Sequence, residues 1–354
     1  MPVMDIDQIL KEAYTRNASD IHITVGSPPI FRVHGQLIRY GEEKVMPNMA
    51  ELFVKKITNE NQFMRLLEVG EIDFSYSIPG LSRFRVNAYK QRGSFAIAFR
   101  MISQEIPAFE KLGLPMVIKD FARLNKGLVL VTGPTGSGKS TTLASLIDII
   151  NTERNLHIIT LEDPIEYLHK HKKSVVNQRE IGNDSLSFAA ALRAALREDP
   201  DVILVGEMRD LETISIALTA AETGHLVFST LHTIGAAKTI DRIIDVFPPH
   251  QQQQIRVQLS TVLYGIVSQQ LLTTKTGQGR VVATEVLIAN SAVRNLIREA
   301  KTYQIPSVML TNTRLGMMMM EHSLSDLYKR GLISRDDALT YANDQDLINK
   351  LIQF

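Results

Sequence analysis

From residue 116 to about 290 the chain alternates short, nearly continuous apolar runs with longer stretches of helical period. The runs are GLVLVT, HIITLE, DVILVGE, HLVFST and RVVATEVLI. Apolar without a two-residue alternation, they suit strands buried on both sides. Their alternation with helices predicts a largely parallel α/β sheet with helices on both faces. Upstream the pattern differs. A helical stretch over 6–16 leads into short strands broken by turns such as GSPP and IPG. SRFRVNAYKQRGSFAIAFRM then alternates apolar and polar residues about Arg92-Gly93, which predicts a β-hairpin. In that register Phe84 faces Met101, Val86 faces Phe99 and Ala88 faces Ile97, giving one apolar face. The other face sets Arg85 against Arg100. Opposed like charges are unfavourable unless they splay into solvent or an anion from outside this segment lies over them.

IPAFEKLGLP carries the proline and glycine of a linker. Residues 291–354 read as helical, with starts near Ser291, Ser323 and Ser334. The expected division is a smaller α+β domain over 1–106, a linker over 107–115, an α/β domain over 116–290 and a helical region over 291–354. MMMM at 317–320 is expected to fill core space flexibly.

Composition narrows the classes. Of 354 residues, 44% are hydrophobic and 22% charged, as in ordinary soluble proteins of more than one domain. A net charge of +1 without tryptophan leaves no basic, aromatic footprint, so no nucleic-acid partner is expected. The absence of cysteine excludes disulfides and cysteine-bound zinc and fits a reducing compartment. No apolar run approaches the roughly 20 residues of a membrane span. The opening MPVMDIDQIL lacks the basic and apolar regions of a signal peptide. A cytoplasmic protein is expected.

The strongest chemical signal is GLVLVTGPTGSGKSTTLASLIDII. Gly133, Gly138, Lys139 and Ser140 satisfy G-x-x-x-x-G-K followed by Ser or Thr, between a buried strand and a helix. Such a loop, here Gly133, Pro134, Thr135, Gly136, Ser137, Gly138, Lys139, Ser140 and Thr141, wraps backbone amides around phosphate oxygens at a helix start. Lys139 would reach the β- and γ-phosphates of ATP, and Ser140 would bind Mg²⁺.

Two further strands end in acids. HIITLEDPIEY supplies Glu162, Asp163 and Glu166, with Pro164 forcing a bend, and DVILVGEMRD runs into Glu207. Ligands of an open parallel sheet bind at the carboxyl ends of its strands, which gathers these acids beside the phosphate loop. Glu207 suits a Mg²⁺-holding role. Glu162 or Glu166 suits the group that orients the attacking water, and Asp163 could instead cap the following turn. His225 and His232, in GHLVFSTLHT, are expected near the carboxyl end of the next strand. No third ligand accompanies them, so they read as nucleotide-facing rather than metal-binding. His225 could equally be a satisfied core histidine, whereas His232 reads as a γ-phosphate sensor. A helix capped near Asp184 or Ser185 sets Arg193 and Arg197 on one face, in reach of Glu198. With Arg85, Arg100 and Arg242 they form a supply of cations for a transferring phosphoryl group.

GPTGSGKSTT, TLEDPIEY, DPDVILVGEMRDLET and GHLVFSTLHT, in this order, resemble the Walker A, aspartate, Walker B and histidine boxes of the secretion and type IV pilus ATPases. ASDIHITVGSPPIFRVHGQL and AVRNLIREAK are similar to segments of the family's retraction branch, whereas the assembly branch is longer and carries a four-cysteine zinc module. SVMLTNTRLGMMMMEHSL departs from the branch's usual glutamine- and glycine-bearing segment. The resemblance implies an α/β fold: a RecA-like core with a phosphate loop, preceded by a PAS-like α+β domain, in a homohexameric ring. It assigns the catalytic glutamate to Glu166 and the Walker B glutamate to Glu207, and brings Arg85 and Arg100 to the nucleotide. It further implies a Mg²⁺-dependent ATPase driving pilus retraction. The enzyme would sit at the inner-membrane base of the machine, on a platform protein and in company with a second retraction-type ATPase. An accessory ATPase dependent on such a partner, a related secretion ATPase and a RecA-like nucleic-acid translocase are the alternatives.

Overall fold

A computed structural model of the chain describes residues 5–102 and 105–353. The first four residues and the last, included in the outer expected domains, lie outside it. By its contacts the chain forms two units, residues 1–105 with 166–168, and residues 106–165 with 169–354.

The first unit contains α1 (Ile6–Thr15), β1 (Asp20–Ile23), β2 (Ile30–Val33), β3 (Gln36–Arg39), α2 (Pro47–Ile57), α3 (Glu60–Val69), β4 (Glu71–Ile78), β5 (Ser82–Gln91) and β6 (Ser94–Met101). The strands form one sheet in the order β3-β2-β1-β6-β5-β4. The expected hairpin is present in the expected register, with Phe84 opposite Met101, Val86 opposite Phe99 and Arg85 opposite Arg100. Its turn places Arg92 and Gly93 at φ 48° and 76°. Two consecutive positive φ angles give a two-residue turn whose twist matches the strands, and this fixes the register. Phe84, Val86, Ala88, Ile97 and Phe99 are fully buried against α1 and α2.

The cation pair on the opposite face meets an acid from within the unit. Asp20 on β1 lies opposite Arg100 in the sheet and accepts its Nε at 3.0 Å, with Arg32 at 3.8 Å. Burial raises the Asp20 carboxyl, but hydrogen bonds from Ser19 and Arg100 outweigh it and hold it below the usual range. Arg100 is largely exposed, so the pair contributes no more than about 1 kcal/mol. Arg85 points into solvent. The covering anion from outside is thus partly replaced by Asp20, which the hairpin alone did not reveal.

The second unit contains β7 (Gly127–Thr132), α4 (Lys139–Glu153), β8 (His157–Glu162), β9 (Val175–Glu180), α5 (Phe188–Ala195), β10 (Val202–Val205), α6 (Leu211–Glu222), β11 (Leu226–Leu231), α7 (Ala236–Asp245), α8 (Pro249–Val262), β12 (Leu263–Thr273) and β13 (Arg280–Ile288), then α9 (Ser291–Arg298), α10 (Ile305–Thr311), α11 (Met320–Lys329), α12 (Arg335–Tyr341) and α13 (Gln345–Ile352). Its sheet runs β13-β12-β7-β11-β10-β8-β9. Every pairing is parallel except that of the edge strand β13.

Both faces are covered, as the doubly apolar runs require. Leu128 and Leu130 of β7 pack with α5, α6, α7 and α8, whereas Val129 and Val131 face α4 and the segment over 109–122. Two strands escaped the pattern, β9 and β12. α9 packs Val293 and Ile297 inward, and Met317 and Met320 of the methionine run are buried. Ser323 does not start a helix: it lies inside α11, where its Oγ accepts the Thr284 amide. The helix expected from Asp184 or Ser185 begins later, capped by Ser187, and ends before Arg197. Arg193 consequently pairs with Glu212, and Glu198 pairs with Arg179. Among the described residues no helix is long and apolar enough to cross a membrane.

Candidate active site at the carboxyl edge of the parallel sheet

β7 delivers the chain into Gly133-Pro134-Thr135-Gly136-Ser137-Gly138 and straight into α4. Gly133 sits at φ 140°, and a Cβ there would lie 2.2 Å from the Gln269 carbonyl oxygen and 2.7 Å from Ser137 Oγ. No other residue fits this approach. Gly136 and Gly138 also adopt positive φ, and α4 opens at Gly138 without a side-chain cap. Lys139 is buried, and its ammonium donates to the Gly133 and Pro134 carbonyls at 2.9 and 3.0 Å. The loop therefore curls around a cation, with the uncapped helix start beneath it. Thr132 Oγ1 and Ser137 Oγ are buried beside it with no protein partner. Buried hydroxyls and a desolvated ammonium at a helix start describe a cradle for an anion.

The parallel sheet orders the remaining groups along one edge. β11, next to β7, ends at Leu231, immediately before His232. β10, the next strand, leads to Glu207, and β8 beyond it ends at Glu162. Glu207 Oε2 lies 2.7 Å from an Arg209 nitrogen and 3.5 Å from His232 Nε2. Arg209 is also 3.5 Å from that ring nitrogen. The three sit around a cavity of about 290 Å³ that Arg242, from α7, also lines. Asp210 fixes this turn by accepting the Thr213 amide and hydroxyl at 2.8 and 2.7 Å as the cap of α6, a contact of about 1 kcal/mol. Burial raises its carboxyl, yet these bonds lower it overall.

The two candidate bases differ. Glu162 Oε1 accepts the Thr160 hydroxyl at 2.6 Å and the Gln178 amide at 3.1 Å, so it braces β8 against β9. Glu166 is exposed on the loop beyond Pro164. His225 must be corrected: it precedes β11 and lies at the amino end of the sheet. Its carbonyl accepts from Gly127, the first residue of β7, and its Nδ1 lies 2.9 Å from the Ala220 carbonyl. One strand length, about 20 Å, separates it from the phosphate loop, so it closes the α6–β11 turn and reaches no nucleotide there. Arg209 and Gln269 were missed. Arg209 stands two residues from Glu207 in the same box, a usable signal; nothing in the sequence marks Gln269.

Glycine loop, buried lysine and strand-end acids together define a phosphate-binding α/β sheet. A family model described as type II/IV secretion system protein matches residues 2–329, and the chain belongs to that family. The resemblance read from the four boxes is borne out. The type IV pilus retraction ATPase PilT of Pseudomonas aeruginosa is 49% identical over 335 residues, 95% of this chain and 97% of its own. A twitching motility protein of Neisseria gonorrhoeae is 50% identical over 318 residues, 90% of this chain and 85% of its own. The crystal structure of the pilus retraction motor PilT with bound ADP is similar with a TM-score of 0.91 and 51% identity, covering 98% of this chain and 100% of that one.

Gly133→Ala tests the loop. The clash with a backbone oxygen and the φ angle, a strain of order 1–3 kcal/mol, should open the loop. Titration with a fluorescent ADP analogue should show affinity lowered at least about tenfold, with the melting temperature reduced by only a few degrees. Unchanged affinity would contradict the geometry.

Proposed function

We propose that the chain is a Mg²⁺-dependent ATPase that works as a homohexameric motor and powers type IV pilus retraction. The observation that carries this reading is the curled glycine loop around Lys139, in a chain about half identical to two relatives named for retraction and twitching. The loop from Gly133 to Thr141 and Lys139 would bind the phosphates of ATP. The residues fit a metal ion as well: the Ser140 hydroxyl opens α4, and the half-buried Glu207 offers a carboxylate at the same sheet edge. Ser140 and Glu207 would hold Mg²⁺, which supplies charge neutralisation at the phosphates.

Glu166 is the better candidate for orienting the attacking water and taking its proton, because Glu162 is engaged as a brace. His232 and Arg242 line the cavity beside Glu207 and would respond to the γ-phosphate. Arg209 pairs with Glu207 and would have to exchange partners when a metal arrives. Arg85 and Arg100 are assigned by the family resemblance to the developing phosphoryl charge. The motor would act in the cytoplasm, at the inner-membrane base of the pilus. It would bind a membrane platform protein there, work beside a second retraction-type ATPase and take no nucleic-acid partner.

ATP hydrolysis per subunit, followed over protein concentration with Mg²⁺ and without DNA, is expected to climb steeply to a plateau as rings form. A rate that stays flat and low would contradict an autonomous ring motor and favour a partner-dependent accessory. In the plateau range Glu166→Gln should slow turnover by about 10²–10⁴-fold, the usual contribution of a general base, while ATP still binds. Glu162→Gln should cost far less. The reverse ranking would exchange the two roles.

A further inference from the structure

α7, the helix behind the His232 loop, and α11 begin beside one buried carboxylate. α7 and α11 start at Gly235 and Met319, neither of which supplies a side-chain cap. Six other helices carry local side-chain caps, Asn59, Ser187, Asp210, Asn290, Ser334 and Asp344 at α3, α5, α6, α9, α12 and α13, whereas α1, α2, α4, α8 and α10 do not. An uncapped start leaves amide donors unsatisfied, and the first residues of both helices, Ala236 and Met320, are fully buried. Glu285 on β13 lies beside both starts. Its Oε1 accepts the Ala236 amide at 2.6 Å, and the backbone at Met320 lies close enough to favour its charged form.

The surroundings make this a joint rather than two separate caps. Ser268 stands directly across from Glu285 in the β12–β13 pairing, and its Oγ accepts the Gly235 amide at 3.0 Å. Consecutive amides of the α7 start are therefore seated on one cross-strand pair. On the other side, Met318 exchanges backbone hydrogen bonds with Val286 at 2.8 and 2.9 Å, which holds α11 to the strand that carries Glu285. Glu321, the second residue of α11, accepts the Asn343 and Asp344 amides at 2.8 Å each, at the start of α13. Buried and part-buried bonds, joined through the β13 backbone, run from the loop after His232 to the last helix.

This arrangement is costly. Desolvation, and secondarily the nearby Glu321, push the Glu285 carboxyl above its usual range. Glu321 is itself fully buried, with Oε2 lacking a partner. Local serine or aspartate caps would satisfy the same amides without burying two acids together.

We propose that Glu285 is a positioning residue that couples the cavity around His232 and Arg242 to the C-terminal helices α11–α13. A shift of the α7 start either breaks its bond to Glu285 or draws the carboxylate with it, and the start of α11 follows. The proposal rests on the nucleotide-binding reading above and adds the route by which occupancy reaches the C-terminal helices.

Hydrogen–deuterium exchange on the full chain tests it, without nucleotide, with ADP and with a non-hydrolysable ATP analogue, together with steady-state kinetics. In the wild type, nucleotide is expected to change exchange over residues 320–352 at least about twofold. Glu285→Ala should bind nucleotide within a few-fold of wild type, lose that response, and lower kcat about tenfold with little change in KM. A merely structural cap would lower the melting temperature without abolishing the response. Glu285→Gln retains one acceptor oxygen and removes the like charge near Glu321, so it should recover part of the response and of kcat. Should Glu285→Ala fail to fold, a weakened response in Glu285→Gln carries the test. A wild-type response in either variant would overturn the proposal. So would a wild type that binds nucleotide without any change over 320–352. A wild type that binds no nucleotide would overturn the ATPase reading, and the coupling with it.

Discussion

The candidate site depends on how closely two neighbouring strands approach at the point where β7 ends. β7 pairs with β12 through Val131–Val267 and Thr132–Ser268, and the chain then turns at Gly133 directly against the Gln269 carbonyl. Only a residue without Cβ passes there, at a φ that side chains avoid. That passage directs the loop back over the start of α4 and brings the Lys139 ammonium onto the loop's own carbonyls. The cation is then desolvated and held by the loop's own carbonyl dipoles, at the place where the loop and helix start would bind an anion. β12 has a second task, since the residue before Gln269 seats the start of α7. One strand thus supports both the phosphate loop and the helix that follows the histidine loop.

The parallel sheet turns this local geometry into a site. Strands of one direction end on one edge, so His232, Glu207 and Glu162 follow the loop in the order of their strands. The hydrogen bonds of each acid then separate the roles. Glu162 is consumed by Thr160 and Gln178, Glu207 is shared by Arg209 and His232, and Glu166 lies exposed beyond the bend. Three acids at or just beyond strand ends look interchangeable by composition; their surroundings divide them.

Much of this was legible in the sequence, and the failures have definite causes. The β5–β6 register could be read because a two-residue turn at Arg92-Gly93 admits one pairing. The phosphate loop could be read because glycine, lysine and serine fall at fixed spacing between a strand and a helix. β12 could not, because α8 passes from Val262 into Leu263 without any intervening turn, and the apolar period shows no break. β9 is a polar edge strand, VVNQRE, with little alternation to detect. His225 was assigned to the wrong end of β11 because a histidine beside an apolar run marks a strand boundary but not which one. Asp20 and Glu285 are long-range partners: each is an ordinary acid in its own segment, and only sheet pairing brings it to Arg100 or to Ala236.

The central claim is that ATP bound around Lys139 drives pilus retraction. The most direct measurement is to count the retraction of fluorescently labelled pili in a bacterium that lacks its own retraction ATPase and expresses this chain or its Lys139→Ala variant at equal levels. The expected result is retraction restored by the wild type and absent with Lys139→Ala. Retraction by both, or by neither while the wild type hydrolyses ATP, would contradict it.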